Sequence, residues 1–357
     1  MAADTEVQDI LDRIQALDEC LIQTFSERLA LCKQLGQLED TRDQLQVEAE
    51  AALLKYVASS THDADDRASL VAMFREMLGA CRRVVATVQV AVLGPEGTYC
   101  EAAAQKHFGQ VVETTCQATI EDVFRKVESG AVAYGVVPVE NSTEGGVNTT
   151  LDCFQESALN ICGEINLPIR HCLMSASPDR ETIREILSHA QSLAQCRRWL
   201  ASNFPSVPVR AVSSNAEAAR LAGESLSLAA IAAESTAELY GLNLLERGIQ
   251  DIPDNTTRFF IICRHNTKAS GNDRTSLMLS AYNKPGALFA LLKPLADHGV
   301  SMTKIESRPA RGGLWEYMFF VDCEGHCQDP GLAPALEELR HNAALFRILG
   351  SYPVAVE

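Results

Sequence analysis

The sequence has little positive charge and no long hydrophobic run. Its 357 residues carry 31 Lys and Arg against 47 Asp and Glu, for a formal net charge of −16. Binding to nucleic-acid phosphates depends on clustered Lys and Arg, so we exclude nucleic acid as a partner. No apolar stretch approaches the roughly 20 residues that cross a bilayer, and the N-terminus lacks the pattern of a signal peptide. We therefore expect a cytoplasmic protein with no membrane partner.

The sequence also lacks the cysteine spacing of a metal site. Its 12 cysteines include no Cys-x-x-Cys pair, and the nearest two, Cys323 and Cys327, have only His326 beside them. A structural zinc site requires two well-spaced pairs, and disulfides are rare in a reducing cytosol. We expect small, mostly buried thiols and no bound metal ion.

Proline and glycine are nearly absent from the first quarter of the chain. The first proline is Pro95, and before Gly94 the only glycines are Gly36 and Gly79. Without these breakers, the pattern predicts three helices, at about residues 5–38, 42–58 and 65–86.

The first predicted helix has one apolar stripe. Its apolar residues recur at alternating spacings of three and four, at Val7, Ile10, Ile14, Leu17 and Leu21. A helix of about 34 residues is on the order of 50 Å long, and two shorter helices cannot cover all of its stripe. We therefore expect a second protomer to cover it. A plain coiled-coil dimerisation arm is the alternative.

From residue 88 onward, short buried strands alternate with helices. Apolar and β-branched runs predict strands at 88–93, 133–139, 229–232 and 259–262. This alternation predicts an α/β architecture. The turn at 94–97 is weak evidence for a phosphate site, because it lacks the Lys-Ser/Thr of a P-loop and the three-glycine dinucleotide spacing.

A third unit follows the polar segment 268–274. The pattern predicts strands and helices in the order βαββαβ, at about 275–281, 284–298, 300–306, 315–322, 332–345 and 346–352. That order within about 80 residues is typical of a ferredoxin-like plait.

Four motifs follow one another in the middle segment. They are Gly94-Pro-Glu-Gly-Thr-Tyr99, Val137-Pro-Val-Glu-Asn-Ser-Thr-Glu-Gly-Gly146, Ser188-His-Ala-Gln191 and Asn255-Thr-Thr-Arg-Phe259. In this order they resemble prephenate dehydratase, a cofactor-free enzyme that makes phenylpyruvate. The C-terminal unit resembles the ACT regulatory domain of the same enzymes. The N-terminal helices resemble the chorismate mutase that is fused to this dehydratase in bacterial bifunctional proteins.

The resemblance covers nearly the whole chain and implies a multidomain α/β protein. We expect an all-helical mutase-like domain at 1–86, a two-lobed α/β dehydratase domain at 88–266 and a βαββαβ ACT domain at 274–357. The implied substrate is prephenate, and the reaction requires no cofactor. Whether arogenate is used instead stays open at this point.

The resemblance also implies the site residues. Thr257 corresponds to the catalytic threonine of the family, whose hydroxyl would donate a hydrogen bond to the leaving oxygen, and Asn141 to its catalytic amide. Glu140 is either a proton source, if burial raises its pKa, or the partner of Arg258 in an ion pair. The expected substrate-binding residues are Ser142, Thr143, Ser188, Gln195, Glu234 and Arg258. We expect only a surface or packing role for His189.

The ACT segments imply an effector site for L-phenylalanine between paired domains. Its expected residues are Gly286, Ala287, Leu288, Glu306, Ser307 and Arg308. Bound effector would bias a dimer or tetramer toward a less active state, which requires different affinities for the two states. A purely structural plait is the alternative.

The N-terminal segment departs from the mutase family at its charged positions. Alignment retains the cation Arg28 as a mutase remnant, but the other expected charged or polar positions fall on Leu11, Glu39, Ala49 and Val85. Loss of these cations removes stabilisation of a dianionic transition state. We therefore expect a dimerisation module with little or no mutase activity. A fully bifunctional enzyme and a non-catalytic amino-acid sensor are the alternatives.

Overall fold

The computed structural model describes residues 2–37, 46–85, 88–282, 284–309 and 317–356. They form two compact units, one of residues 1–88 with 108–113 and one of the remaining residues. None of the helices in these ranges has both the length and the apolar character of a membrane span.

The N-terminal unit contains the three predicted helices, α1 (Ala2–Gly36), α2 (Gln46–Ser59) and α3 (Ala64–Val85). The predicted start of the second helix, at 42–45, lies outside the described residues. The unit buries few side chains, and the apolar stripe of α1 is left exposed; Leu17, for example, is 65% exposed. The described part of the unit therefore does not cover the stripe of its own longest helix.

Residues 88–266, the dehydratase region that the resemblance implies, alternate strands and helices as predicted. In chain order it contains β1 (Gln89–Leu93), α4 (Tyr99–Phe108), β2 (Glu113–Gln117), α5 (Ile120–Glu128), β3 (Tyr134–Asn141), β4 (Gly145–Gly146), α6 (Asn148–Glu156), β5 (Asn160–Pro168), β6 (Cys172–Ser175), β7 (Glu185–His189), α7 (Ala190–Gln195), α8 (Arg197–Asn203), β8 (Val209–Val212), α9 (Asn215–Gly223), β9 (Leu228–Ala232), α10 (Ser235–Leu239), β10 (Asn243–Arg247) and β11 (Thr256–Cys263).

These strands form two sheets, and each sheet is the centre of one lobe. The first sheet has the order β2-β1-β3-β11-β5, with β4 paired to β3, and the second has the order β10-β6-β9-β7-β8. The chain passes between the lobes after β5 and returns before β11. The two connections are hydrogen-bonded to each other, through Ile169 N to Asn255 O at 2.8 Å and Ile249 N to His171 O at 3.0 Å.

The described part of residues 274–357, the ACT domain that the resemblance implies, has the predicted βαββαβ order. Its elements are β12 (Asp273–Ser280), α11 (Ala287–Asp297), β13 (Met302–Pro309), β14 (Tyr317–Glu324), α12 (Ala333–Asn342) and β15 (Leu345–Pro353). The four strands pair in the order β13-β14-β12-β15, which is the sheet order of a ferredoxin-like plait. The start of the third predicted strand, at 315–316, lies outside the described residues.

The two faces of the ACT sheet are covered differently. Leu277 and Val321 point into a core that Leu291 and Leu336 of the two helices share. On the other face, Met278, Phe320 and Tyr352 belong to one core cluster with Phe154 and Phe260 of the first dehydratase lobe. The ACT domain is therefore packed on the back of the sheet that contains β3 and β11.

Candidate active site

A cavity of about 530 Å³ lies between the two lobes of the dehydratase region. Asn141, Thr257 and Phe259 of the first sheet line one side. His189, Gln191 and Asn215 line the other side, and His171 and Asn255 belong to the connections between the lobes. A cavity of this size at the carboxyl ends of strands, between two lobes, is the usual place for a small-molecule ligand.

Asn141 and Thr257 face this cavity together because their strands pair in register. Thr257 of β11 lies opposite Asn141 of β3, and Asn141 Nδ2 is 2.9 Å from Thr257 Oγ1. Side chains alternate between the faces of a strand, so the next pair in register, Arg258 and Glu140, lies on the opposite face of the sheet.

The amide of Asn141 is fully engaged by protein atoms. Its Nδ2 also donates to Asn255 Oδ1 at 2.8 Å, and its Oδ1 accepts from Thr143 N at 3.0 Å and Thr143 Oγ1 at 2.6 Å. Both amide protons are thus committed, and one of them points at the oxygen of Thr257. With its oxygen accepting this bond, Thr257 keeps its own hydroxyl proton for an acceptor in the cavity.

A hydrogen-bond chain continues from these residues into the second lobe. Asn255 Nδ2 donates to Gln195 Oε1 at 3.2 Å, and His171 Nε2 lies 2.8 Å from the same oxygen. Since an amide oxygen only accepts, we assign the proton of His171 to Nε2. Its Nδ1 is then an acceptor 3.0 Å from the Tyr99 hydroxyl, whose single proton is shared with Arg170 O at 2.9 Å. Burial lowers the pKa of His171, which favours this neutral form.

Neither His171 nor Tyr99 was assigned an individual role from the sequence. His171 is 1% exposed and joins the motifs at their centre. It comes there because Pro168 pairs in register with Thr256, which brings the two distant connections together. His189 also lines the cavity, where its Nδ1 accepts from Gln191 N at 3.4 Å.

Two expected site residues support the cavity wall indirectly. Ser188 is fully buried, and its hydroxyl lies 2.8 Å from Asn215 Oδ1 and 2.6 Å from Ile231 O. Ser142 Oγ accepts from Thr256 N at 3.0 Å. Both side chains therefore hold neighbouring cavity residues in place.

The structure corrects the expectations for Glu140, Arg258 and Glu234. Glu140 Oε2 is 3.0 Å from Lys304 Nζ of the ACT domain, so it is neither a proton source in the cavity nor the partner of Arg258. Arg258 instead binds Glu164 and Asp322. Glu234 forms an exposed ion pair with Arg247 at 2.9 Å. The first two point away from the cavity because they alternate with Asn141 and Thr257, and Glu234 lies at the outer surface.

The expected effector residues of the ACT domain lie on two elements. Gly286 has a positive φ of 75° and precedes the first residues of α11, Ala287 and Leu288. The other three, Glu306, Ser307 and Arg308, lie on β13. Glu306 is 3.3 Å from Lys304 Nζ, and Ser307 lies opposite Phe319 in the sheet. Arg308 Nη2 is 3.0 Å from both carboxylate oxygens of Asp152 in the dehydratase region. The β13 segment therefore contacts the dehydratase region directly.

The cavity is electrically neutral along the part of its wall that the structure describes. No Asp, Glu, Lys or Arg side chain is among those lining residues. Burial raises the pKa of Cys100 to about 12 and raises that of Tyr99 as well. The first residues of α4, α5 and α9 (Tyr99, Ile120 and Asn215) line the wall, and helix N-termini carry partial positive charge.

A separate cavity of about 150 Å³ lies in the N-terminal unit, where Arg28 is part of the wall. Arg28 Nη1 is 2.5 Å from Cys81 Sγ. A second cation, Arg82, is paired with Glu50, whose Oε2 is 2.9 Å from Arg82 Nε. The wall also includes Ala49 and Val85, while Leu11 is exposed and Glu39 lies outside the described residues.

Comparisons with known proteins agree with this architecture. The family "Prephenate dehydratase" matches residues 90–267, and the family "ACT domain" matches residues 275–341. A bifunctional chorismate mutase/prephenate dehydratase of Stutzerimonas stutzeri is 45% identical over 352 residues, covering 96% of this chain and 96% of that protein.

Two solved structures share the dehydratase and ACT fold. A prephenate dehydratase in complex with L-Phe from Arthrobacter aurescens is 34% identical with a TM-score of 0.68, covering 74% of this chain and 90% of that one. A protein described as the quorum quenching acylase GqqA is 31% identical with a TM-score of 0.68, covering 75% of this chain and 98% of that one. From its fold, its motifs and these relatives, the chain belongs to the prephenate dehydratase family and carries an ACT domain.

Proposed function

We propose that the cavity between the two lobes is the site where prephenate loses its ring hydroxyl and carbon dioxide. The contact that carries this proposal is the 2.9 Å hydrogen bond from Asn141 Nδ2 to Thr257 Oγ1 at the cavity wall. It directs the hydroxyl proton of Thr257 toward a ligand. In this role Thr257 is the catalytic residue, and Asn141 acts through it as a positioning residue.

The reaction needs only a donor for the leaving oxygen and a rigid binding site. The ring carboxylate leaves as carbon dioxide, its C–C bonding electrons enter the ring, and the ring C–O bond breaks. The departing hydroxide takes up one proton, so prephenate dianion and a proton give phenylpyruvate, carbon dioxide and water. Because aromatisation supplies a large driving force, hydrogen bonding to the departing oxygen and a fixed orientation are sufficient contributions from the protein.

The neutral wall binds a dianion through dipoles and neutral donors. The N-termini of α4, α5 and α9 give partial positive charge along the wall, and Gln191, Gln195 and Asn215 supply side-chain amides. The cross-lobe chain from Tyr99 to Thr257 holds one of these amides, Gln195, in place. A substrate amino group, as in arogenate, would find no carboxylate among the described lining residues, so we assign prephenate as the substrate.

The experiment that tests this function measures phenylpyruvate formed from prephenate and, separately, phenylalanine formed from arogenate. We expect turnover of prephenate, at least about tenfold faster in kcat/KM than turnover of arogenate, since one unpaired buried charge costs more than about 1.4 kcal/mol. Addition of L-phenylalanine should lower the rate. Preference for arogenate would contradict the substrate assignment, whereas turnover without any response to phenylalanine would contradict only the effector site.

The effector proposal is supported by the position of β13. Residues Glu306, Ser307 and Arg308 are on the strand that contacts the dehydratase region through Lys304–Glu140 and Arg308–Asp152. Phenylalanine bound by this segment and by Gly286–Leu288 would therefore change contacts adjacent to Asn141. An ACT match and a relative solved with L-Phe are in keeping with this effector.

We also propose that the N-terminal unit has lost mutase activity. Among the described residues of its cavity wall, Arg28 and Arg82 provide two positive charges and Glu50 removes one, while Ala49 and Val85 are apolar. One net positive charge on this part of the wall is a poor match for a dianion whose transition state develops further charge on the ether oxygen.

Incubation of the purified chain with chorismate tests this loss. We expect prephenate to form at the uncatalysed rate or within about tenfold of it, because removal of several charged contacts costs most of the catalytic stabilisation. Coupled detection of phenylpyruvate by the dehydratase region of the same chain makes the assay sensitive. Chorismate turnover comparable to prephenate turnover would instead make the chain fully bifunctional.

The exposed stripe of α1 supports a homo-oligomer, either a dimer or a tetramer. Val7, Ile10, Ile14, Leu17 and Leu21 are all about half exposed or more. A continuous apolar stripe along a helix of 35 residues fits the same stripe of a second copy, because an isologous contact covers both at once.

A further inference from the structure

Arg258 lies behind the cavity, on the face of the first sheet that packs on the ACT domain. Its Nε and Nη2 lie 2.8 and 2.7 Å from Glu164 Oε2, and its Nη1 lies 2.6 Å from Asp322 Oδ2. Nη2 also donates to the Tyr352 hydroxyl at 3.0 Å. Glu164 belongs to β5, whereas Asp322 and Tyr352 belong to the ACT domain. One guanidinium therefore joins β11 to its neighbouring strand and to the ACT sheet.

The surroundings of Arg258 are buried and balanced in charge. Glu164 is 3% exposed and Asp322 is 5% exposed. A second cation, Arg274, contacts Glu164 Oε2 at 2.5 Å, and Ser276 Oγ donates to Asp322 Oδ1 at 2.6 Å. Two arginines thus face two carboxylates, and further hydrogen bonds fix the orientation of the carboxylate groups. Charge-assisted bonds of this kind hold their partners in a narrow range of geometries.

The pairing of β11 with β3 is irregular directly after Arg258. On the β3 side, Arg258 pairs with Glu140 but Phe259 pairs with Pro138, so one residue of β3 is skipped. Such an irregularity interrupts the ladder and bends the strand locally. On its other side β11 stays in register with β5 from Thr256 to Ile261, so the side-chain contacts of Arg258 add support to β11 where its pairing with β3 is interrupted.

We propose that Arg258 is a positioning residue for Thr257. By holding Glu164 and Asp322 from the back of the sheet, it fixes β11 so that the Thr257 hydroxyl points at the leaving oxygen of the substrate. The role rests on the proposed function of Thr257 as hydrogen-bond donor. It also makes Asp322 of the ACT domain a support of the dehydratase site, so a shift of the ACT sheet reaches Thr257 through one side chain.

A double-mutant cycle with Thr257→Ala tests this role. Arg258→Lys keeps the charge but cannot bind two carboxylates at once. We expect it to lower kcat for prephenate about tenfold or more, with KM within about twofold. In the Thr257→Ala background, the same change should alter the residual kcat by less than about twofold, because no hydroxyl is left to position. Asp322→Asn, which acts on the same guanidinium from the ACT side, should show the same pattern with a smaller loss.

Arg274→Lys is the matched control. It changes the other arginine of the same buried cluster, on β12, which is not attached to Thr257. We expect a similar fall in melting temperature and a kcat within about twofold of the parent. Equal losses of kcat in Arg258→Lys and Arg274→Lys, or the same fold-loss from Arg258→Lys with and without the Thr257 hydroxyl, would overturn the proposal. If Arg258→Lys does not fold, the cycle with Asp322→Asn decides in the same way.

Discussion

Thr257→Ala is expected to lower kcat for prephenate by about 10²–10³-fold, with little change in KM. Loss of one preorganised donor to a developing oxyanion costs about this much in other enzymes. The effect falls on kcat because the leaving oxygen gains its negative charge only as the C–O bond breaks, so the hydrogen bond strengthens in the transition state. Phenylpyruvate formation at saturating prephenate measures it.

Thr257→Ser is the matched control for this prediction, because it keeps a hydroxyl at the same position. We expect it to retain kcat within about tenfold of the parent, since Asn141 Nδ2 can still direct the oxygen. Unfolding curves of both variants should lie close to that of the parent protein. If Thr257→Ala turned over prephenate at the parental rate, the cavity would have to work through another donor.

Asn141→Asp should lower kcat by about 100-fold and raise KM. The substitution has the same shape, but it replaces a donor with an acceptor at 2.9 Å from Thr257 Oγ1 and at 2.8 Å from Asn255 Oδ1. The Thr257 hydroxyl would then donate to the new carboxylate and no longer to the substrate. A negative charge in a neutral cavity would also repel a dianionic substrate, which accounts for the rise in KM.

Asn203→Asp, on the exposed end of α8, controls for the added charge. It should leave kcat and KM within about twofold of the parent values, because Asn203 is exposed and outside the cavity wall, where water and salt screen the added charge. Steady-state kinetics of both variants at one ionic strength make the comparison. Unchanged kinetics in Asn141→Asp would mean that Asn141 does not orient Thr257.

Much of the fold was predictable from the sequence because its elements differ in composition. The scarcity of proline and glycine before Pro95 predicted the helical unit. Short apolar strand segments that alternate with helical segments predicted the α/β region and the βαββαβ order. Asn141 and Thr257 were found from motifs at the ends of two buried strands. They are 116 residues apart in the sequence, and a hydrogen bond joins their side chains.

The neighbours of these residues were assigned wrongly because a motif does not specify which face of a strand it occupies. Glu140 directly precedes Asn141, and Arg258 directly follows Thr257. Because side chains alternate between the two faces of a strand, both lie on the face that packs on the ACT domain. Their partners, Lys304 and Asp322, come from a domain whose docking surface has no local sequence signal. His171 was missed for a related reason: its place depends on the pairing of Pro168 with Thr256 across the sheet.

The most direct test of the account is a crystal structure of Thr257→Ala grown with prephenate, since the slow variant should retain its substrate. We predict prephenate in the cavity between the lobes, with its ring hydroxyl oxygen next to the position of the missing Thr257 hydroxyl and within reach of Asn141 Nδ2. Prephenate bound elsewhere, or bound in this cavity with its ring hydroxyl turned away from residue 257, would contradict the central claim.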